Sequence, residues 1–311
     1  MQTIILNEFG PASNLHIANL PAPQINNEEV LVKVIAISIN PVDVSTRNGK
    51  GLAAAIKERP IILGWDISGL ITESKSSRFK KGDDIFGMVN FPGHGKAYAE
   101  YVAAPAGHIT LKPANISHDE AAAACLAAVT AWQNLTEHFQ VNKNQKVLIH
   151  GGSGGVGHYA IQIAKHLGAY VITTSSEKNK KFVLSLGADE HVDYKAVNFE
   201  DVVRDIDFVL NTQSSDIAER SLSVLKQGGT MINIASSTTD AIKKKSELKG
   251  IKVFGTSVIS SDKDMRQLAD LLETNKIKSH VSEVFALQDM QKAHGSLETG
   301  RTVGKIIVKP A

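Results

Sequence analysis

The short apolar stretch KVLIH, residues 146–150, runs directly into Gly152-Ser153-Gly154-Gly155-Val156-Gly157 and then into the helical sequence VGHYAIQIAKHLG. A G-x-G-x-x-G pattern at a strand-to-helix turn leaves little freedom. The turn must bring main chain against a pyrophosphate and the helix must approach the strand closely, so side chains are excluded. The unpaired N–H groups and the positive end of the helix dipole then face the negative charge. Behind the turn, YVITTS, EHVDY, DIDFVLN, TMINIAS and VFGTSVIS read as strands, and KNKKFVLSLG and IAERSLSVLKQGG as helices between them. Strands alternating with helices require right-handed crossovers and a parallel sheet covered on both faces. The expectation is a doubly wound α/β domain holding a dinucleotide, with a plain structural turn as the alternative.

The choice of dinucleotide is usually made at the end of the second strand, where an acid holds a ribose 2′-hydroxyl or a cation with small polar groups admits a 2′-phosphate. Here that strand ends in Thr173-Thr174-Ser175-Ser176-Glu177-Lys178. Small hydroxyls followed by Lys178 favour NADPH, whereas Glu177 turned inward would reverse the preference.

Ahead of this half, QTIILN, EEVLVKVIAISIN, DISGLIT, DDIFGMV and AEYVAA are β-type segments divided by turn residues. They suggest an all-β module of roughly 115 residues. Ser117 and Glu120 have the spacing of a capping box at the head of a long helix, SHDEAAAACLAAVTAWQNLTEHF. After Ser261 come a helix DMRQLADLLETN, the segment SHVSEVFAL, a helix DMQKAHGSLETG and a final strand VGKIIVKP, pieces that resemble the first module more than the second. With 311 residues, two domains are expected: residues 1–118 with 275–311, and residues 119–274.

A balance of 34 Lys+Arg against 32 Asp+Glu leaves no basic stripe for a phosphate backbone, so nucleic acid is not an expected partner. The run Lys243-Lys244-Lys245 reads as a solvated face. Residues 1–10 lack the basic-then-apolar pattern of a secretion signal, and no stretch is apolar for ~18 residues. A cytoplasmic protein with no membrane partner is expected. The single cysteine, Cys125, excludes an internal disulfide and a cysteine-based zinc site. Its small-residue surroundings suit a core position better than a catalytic thiol.

Several short motifs occur in a fixed order over nearly the whole chain: Asn40-Pro41-Val42-Asp43, Gly64-Trp65-Asp66-Ile67-Ser68-Gly69, Lys81-Gly82-Asp83, Ala99-Glu100-Tyr101, Thr130-Ala131, the glycine turn, Leu186-Gly187-Ala188-Asp189 and Gly304-Lys305-Ile306-Ile307-Val308. Together they resemble the medium-chain dehydrogenase/reductase superfamily, in particular its zinc-independent quinone oxidoreductases and enone (alkenal) reductases. The resemblance implies a Rossmann-type domain joined to a mainly β GroES-like catalytic domain, and a homodimer paired through VFGTSVIS. Related alcohol dehydrogenases hold zinc with a Cys that is here Asn40 and a His that falls on Trp65, and their four-cysteine lobe is missing, so no metal is expected. Without a Lewis acid, hydride transfer is expected to an acceptor that is electrophilic already. Such an acceptor is a quinone, or the C=C bond of an α,β-unsaturated carbonyl, whose carbonyl delocalises the incoming charge and is stabilised by hydrogen-bond donors.

By the same resemblance, Asn40 faces the nicotinamide ring and Thr130 lies near the cofactor phosphate. Ser153, Gly154, Gly155 and Val156 carry the pyrophosphate, and Ser175, Lys178 and Tyr194 hold the 2′-phosphate. Asn211, Ile234, Ala235, Phe254, Gly255 and Thr256 line the nicotinamide half, and Arg301 reaches the adenosine phosphate. Asn40 and Asp43 are the catalytic candidates, with Asp43 weighed more as a holder of the loop than as a proton carrier. Plainer roles stay open: Asn40 as a turn residue before proline, Tyr194 as a strand end, Lys178 as a solvated helix start. The tyrosines that follow Asn-Pro in quinone reductases of this type are absent here, which counts against a quinone. The run from Tyr98 to Tyr101 suits an aromatic wall or a core position. An enoyl-thioester reductase and a non-catalytic NADPH-binding redox sensor stand as alternative functions.

Overall fold

Strands form where β-branched and aromatic residues run between turn residues. The computed structural model describes residues 1–235 and 238–310. It begins with β1 (Gln2–Leu6), β2 (Leu15–Asn19), β3 (Glu29–Ile39), α1 (Pro41–Arg47), β4 (Asp66–Ser74), β5 (Asp84–Met88), β6 (Tyr101–Pro105) and β7 (Ile109–Leu111). Next come α2 (His118–Ala123), α3 (Leu126–Gln133), β8 (Lys146–His150), α4 (Gly155–His166), β9 (Tyr170–Ser175), α5 (Lys180–Ser185), β10 (Glu190–Asp193) and α6 (Phe199–Val202). The chain continues through β11 (Ile206–Asn211), α7 (Ser215–Ser221), β12 (Leu225–Asn233), α8 (Asp240–Leu248) and β13 (Lys252–Gly255). It closes with α9 (Asp262–Glu273), β14 (Val281–Ala286), α10 (Met290–Glu298) and β15 (Lys305–Lys309).

Two units result, Met1–Val129 with Val258–Ala311, and Thr130–Ser257. Residues 119–129 and 258–274, read from the sequence with the nucleotide-binding half, group here with the β-rich unit. Ser236, the last residue of TMINIAS, and Ala311 lie outside the described residues.

In the first unit a seven-stranded sheet has the order β14-β15-β3-β4-β5-β7, with β6 also paired to β3. Val30, Val32, Val34, Ile37, Ile67, Ile85 and Ile306 from neighbouring strands fill its core. Two registers position the site. β15 runs antiparallel to β3 with Ile306 opposite Ile39, and β3 runs antiparallel to β4 with Ser38 opposite Asp66. Residues far apart in sequence, near 39–40, 66 and 305, thereby become neighbours.

The second unit is a parallel sheet of order β10-β9-β8-β11-β12-β13. The strand order turns back between β8 and β11, which is where doubly wound sheets open a crevice at their carboxyl ends. Lys243 and Lys245 stand on α8, paired with Asp240 and Glu219 on an exposed face.

Three local expectations are corrected. The helix from Ser117 begins as expected, with reciprocal hydrogen bonds between Ser117 and Glu120, but it breaks at Ala124-Cys125. The Leu126 N–H donates to Asp66 Oδ1 at 2.9 Å, so a carboxylate from β4 caps α3 as a new helix. IAERSLSVLKQGG is not one helix: α7 ends at Ser221, and Leu225 already pairs with Ile206 in β12. Gly228 there has φ +78°, a left-handed conformation that a helix does not continue through. Of VFGTSVIS only the first residues lie in β13. Thr256 Oγ1 turns to Asn134 Oδ1 at 2.7 Å, and the Ser260 N–H donates to Phe91 O at 3.0 Å, so these groups find partners outside the sheet.

Candidate active site

In the second unit the glycines are dictated by distance. A Cβ on Gly152 would stand 2.0 Å from Thr173 Oγ1, and one on Gly157 would stand 2.2 Å from Gly151 O. Gly151 itself has φ +69°. Gly154 is the N-cap of the twelve-residue α4, and Ser153, Gly154, Gly155 and Val156 are half-buried around its open N-terminus. Free main-chain N–H groups and the helix dipole make this end an anion site. Ser153 Oγ accepts from Asn179 Nδ2 at 3.0 Å, which ties the turn to the segment after β9.

Beside the turn lies a cavity of about 280 Å³ lined in part by His150, Thr174, Tyr194, Phe199, Gln213 and Arg220. His150 is buried there with both ring nitrogens engaged, Nδ1 with Thr174 Oγ1 at 3.1 Å and Nε2 with Ser221 Oγ at 2.9 Å. Ser221 spends its only hydrogen on Ile217 O, at 2.6 Å. His150 must therefore carry its proton on Nε2 and accept from Thr174 at Nδ1. Thr174 Oγ1 in turn accepts the Gly151 N–H at 3.2 Å, so a side-chain relay from α7 fixes the glycine turn. Burial, with the nearby Arg220 charge, pushes His150 down to about 3, and the ring is neutral. Arg220 forks onto Glu200 at 2.7 and 2.8 Å, which compensates its charge.

Among the 2′-phosphate candidates, Lys178 and Tyr194 are exposed, whereas Ser175 is buried. The Ser175 hydroxyl donates to Ser176 O and faces His191 Nε2 at 2.9 Å. Asn211 is also buried, its Nδ2 donating to Asn233 Oδ1 at 2.8 Å and to the following loop; it organises the end of β11. Thr130 is buried in α3, Ile234 and Phe254 are half-buried, and Ala235 is exposed. Thr256 is held by Asn134 as described above. Arg301 is exposed and belongs to the other unit.

In the first unit Asn40 is 1% exposed at the junction of β3 and α1. Its Nδ2 donates to Asp66 Oδ2 at 2.9 Å and lies 3.4 Å from Ser38 O, and its Oδ1 accepts from Lys305 Nζ. Asp43 is buried one turn into α1 and accepts the Asn40 N–H at 2.6 Å, which closes the loop on itself. Asp43 Oδ1 makes no hydrogen bond of ordinary geometry, and the Tyr98 hydroxyl lies beside it. Tyr98, a core residue, meets His294 Nε2 at 2.9 Å, and Arg47 Nη1 reaches His294 Nδ1 at 3.2 Å. Because Arg47 can only donate, His294 is protonated on Nε2 and Tyr98 accepts from it. The tyrosine's own hydrogen is left to point at Asp43. Burial raises Asp43 to about 7, with the Asp66 charge adding to it, and raises Asp66 to about 6 against the pull of Lys305.

Sequence reasoning picked out Asn40 and Asp43 and weighed Tyr98 as an aromatic wall or a core position, but gave no role to Asp66, Lys305, His150, His294 or Arg47. The available signal was a polar residue at the end of an apolar strand, as in KVLIH, or at the start of one, as in KIIVK.

The fold and these two constellations define a dinucleotide-dependent oxidoreductase with a GroES-like domain. Residues 26–114 match the alcohol dehydrogenase GroES-like domain, and residues 186–308 match a zinc-binding dehydrogenase domain. A 2-methylene-furan-3-one reductase of Solanum lycopersicum is 32% identical over 304 residues, covering 94% of this chain and 74% of the relative. The quinone oxidoreductase from Coxiella burnetii superposes with a TM-score of 0.93 at 34% identity, covering 99% of both chains. The Escherichia coli quinone oxidoreductase complexed with NADPH gives a TM-score of 0.90 at 25% identity over the full length of both. The chain belongs to the medium-chain dehydrogenase/reductase family. It is an oxidoreductase that groups with quinone oxidoreductases and enone reductases.

The zinc implied by one matched domain name does not fit the residues present. Asn40, Asp66 and Cys125 lie near the ammonium of Lys305, a cation already attached to the chain. Among the described residues no group of three or more His, Cys, Asp or Glu is arranged to hold a metal ion.

Proposed function

We propose that the chain reduces a quinone, or the C=C bond of an α,β-unsaturated carbonyl, with NADPH and without a metal. The half-exposed N-terminus of α4 beside the His150–Tyr194 cavity carries this reading. The main-chain N–H groups of Ser153 to Val156 hold the pyrophosphate, and Tyr194 and Gln213 flank the adenosine half. Lys178 supplies the positive charge for a 2′-phosphate, supported by Tyr194 and the strand end at Ser175. Arg301 is a further cation for the adenosine phosphate. Thr130, Ile234, Ala235, Phe254 and Thr256 stand on segments expected to border the nicotinamide half, with Asn211 shaping the turn beneath them. Asn40 serves the nicotinamide ring.

When bound, NADPH supplies the hydride; the protein orients the reactants, excludes water and offers hydrogen-bond donors to the charge that builds on the acceptor oxygen. Asp43, closed against the Asn40 N–H, maintains the loop, and the proton that completes the reduction comes from water. We further propose a homodimer through β13, which is the edge strand of its sheet and open to pairing across a two-fold axis, and a cytoplasmic location. No helix among the described residues is long and apolar enough to cross a membrane.

The test is the oxidation of NADPH, and separately of NADH, by metal-free protein with a panel of quinones and short enones. NADPH consumption with one of these acceptors and much weaker consumption with NADH supports the proposal. Tight NADPH binding with no turnover on any of these acceptors refutes it in favour of an enoyl-thioester reductase or a non-catalytic sensor. A monomeric mass by light scattering would remove the dimer.

A further inference from the structure

The first unit buries a lysine that the proposed reaction does not call on. Lys305, 3% exposed, donates to Ile39 O at 3.0 Å and to Asn40 Oδ1, and its Nζ stands 3.9 Å from Asp66 Oδ2. Asp66, fully buried, accepts from Asn40 Nδ2 with one oxygen and from the Leu126 N–H with the other, both at 2.9 Å. An ammonium only donates and a carboxylate only accepts. The Asn40 carboxamide is therefore gripped by a donor at its oxygen and an acceptor at its nitrogen. Turned over, it would set an NH₂ group against Lys305 and a carbonyl oxygen against Asp66. One of the two amide orientations is selected by charge, and a buried ion pair adds little net stability that would otherwise account for it. In the selected orientation the second Nδ2 hydrogen meets only Ser38 O, at 3.4 Å, a distance at which a hydrogen bond is weak.

We propose that Lys305 and Asp66 are positioning residues: they hold Asn40 so that one Nδ2 hydrogen stays available as a donor to the nicotinamide half of NADPH. The proposal rests on the reading that Asn40 serves that half of the cofactor.

The experiment titrates NADPH, and 2′-phospho-ADP-ribose, which has the adenosine and pyrophosphate but no nicotinamide, against four proteins. These are the wild type, Asn40→Ala, the double variant Asp66→Asn with Lys305→Met, and the triple combination. Removing both charges together leaves neither one buried alone. Asn40→Ala and the double variant are each expected to weaken NADPH by about tenfold, the loss of one hydrogen bond to a polar ligand group. Binding of 2′-phospho-ADP-ribose is expected to hold, and the triple variant to bind NADPH no more weakly than Asn40→Ala, since the pair acts through Asn40. Wild-type affinity for NADPH in Asn40→Ala, or no NADPH binding by the wild type, removes the underlying reading of Asn40. A weakened Asn40→Ala beside an unaffected double variant overturns the positioning role alone, as does a triple variant in which the two losses add. A double variant that loses both ligands alike assigns the pair to folding and also overturns it.

Discussion

Replacing Gly157 by alanine tests whether the glycine turn is set by contact distances or by flexibility. The added Cβ would lie 2.2 Å from Gly151 O and 2.8 Å from the Gly152 Cα, where ordinary contact begins near 3.4 Å. Both obstacles are main chain, so α4 must retreat from the end of β8 by about 1 Å, an overpacking cost of ~1–3 kcal/mol or somewhat more. Alanine returns up to about 1 kcal/mol of helix propensity. The net loss of about 2 kcal/mol lowers Tm by roughly 3 °C in a protein of this size. The same retreat withdraws the N–H groups from the anion site and costs one charge-assisted hydrogen bond, an NADPH affinity loss of about ten- to a hundredfold. Gly154→Ala is the control, because its Cβ meets only Gly151 O, at 3.3 Å, with φ −82°. It is expected to keep the wild-type Tm and lose NADPH affinity, since that glycine admits the ligand rather than the helix. Calorimetry and a fluorescence titration of NADPH measure both. An unchanged Tm in Gly157→Ala, or an equal drop in Gly154→Ala, refutes the steric argument.

Lys178→Glu is expected to weaken NADPH by at least about tenfold, the exchange of an attractive for a repulsive charge at a phosphate, with NADH binding little changed; equal loss of both nucleotides would assign Lys178 elsewhere. Asp43, raised by burial to about 7 from 3.8, keeps a proton in the folded chain that the unfolded chain has already released across that window. Its contribution to stability is complete below pH 3.8 and falls as pH rises towards 7, by up to about 1.4 kcal/mol per pH unit. Asp43→Asn should abolish that slope, and a wild-type-minus-variant unfolding energy that stays constant in urea titrations from pH 4 to 7 would contradict it. Arg47, its side chain 2% exposed, is bound to Glu298 at 2.6 Å, Gly10 O and His294; Arg47→Lys cannot reproduce this fork and should cost ~2–4 kcal/mol, read as a lowered melting temperature. Exhaustive dialysis against a chelator should leave the NADPH-linked rate unaltered, whereas a loss restored by zinc would sink the metal-free reading.

The nucleotide-binding unit was largely legible because its signals are local. KVLIH-GGSGGVG names its own strand, turn and helix, and the alternation behind it calls for a parallel sheet with right-handed crossovers. Where expectation failed, a distant partner had overridden local propensity. SHDEAAAACLAAVTAWQ is continuous helix by composition, yet Asp66, 60 residues from Leu126, starts a second helix inside it. VFGTSVIS is strand by composition, yet Thr256 and Ser260 take hydrogen-bond partners outside the sheet.

The candidate site divides in the same way. Residue type and spacing alone determined the glycine turn at the head of α4, the small hydroxyls and Lys178 after the second strand, and the lack of a cysteine-based metal site. Only the tertiary structure decided that Asn40 is clamped in one orientation, because Lys305 lies 265 residues away and Asp66 lies 26. Their meeting depends on antiparallel registers of β15 with β3 and of β3 with β4. Periodicity reports which face of a strand is buried, but register is settled by the packing of whole sheets, and a slip of one residue would send these side chains to opposite faces.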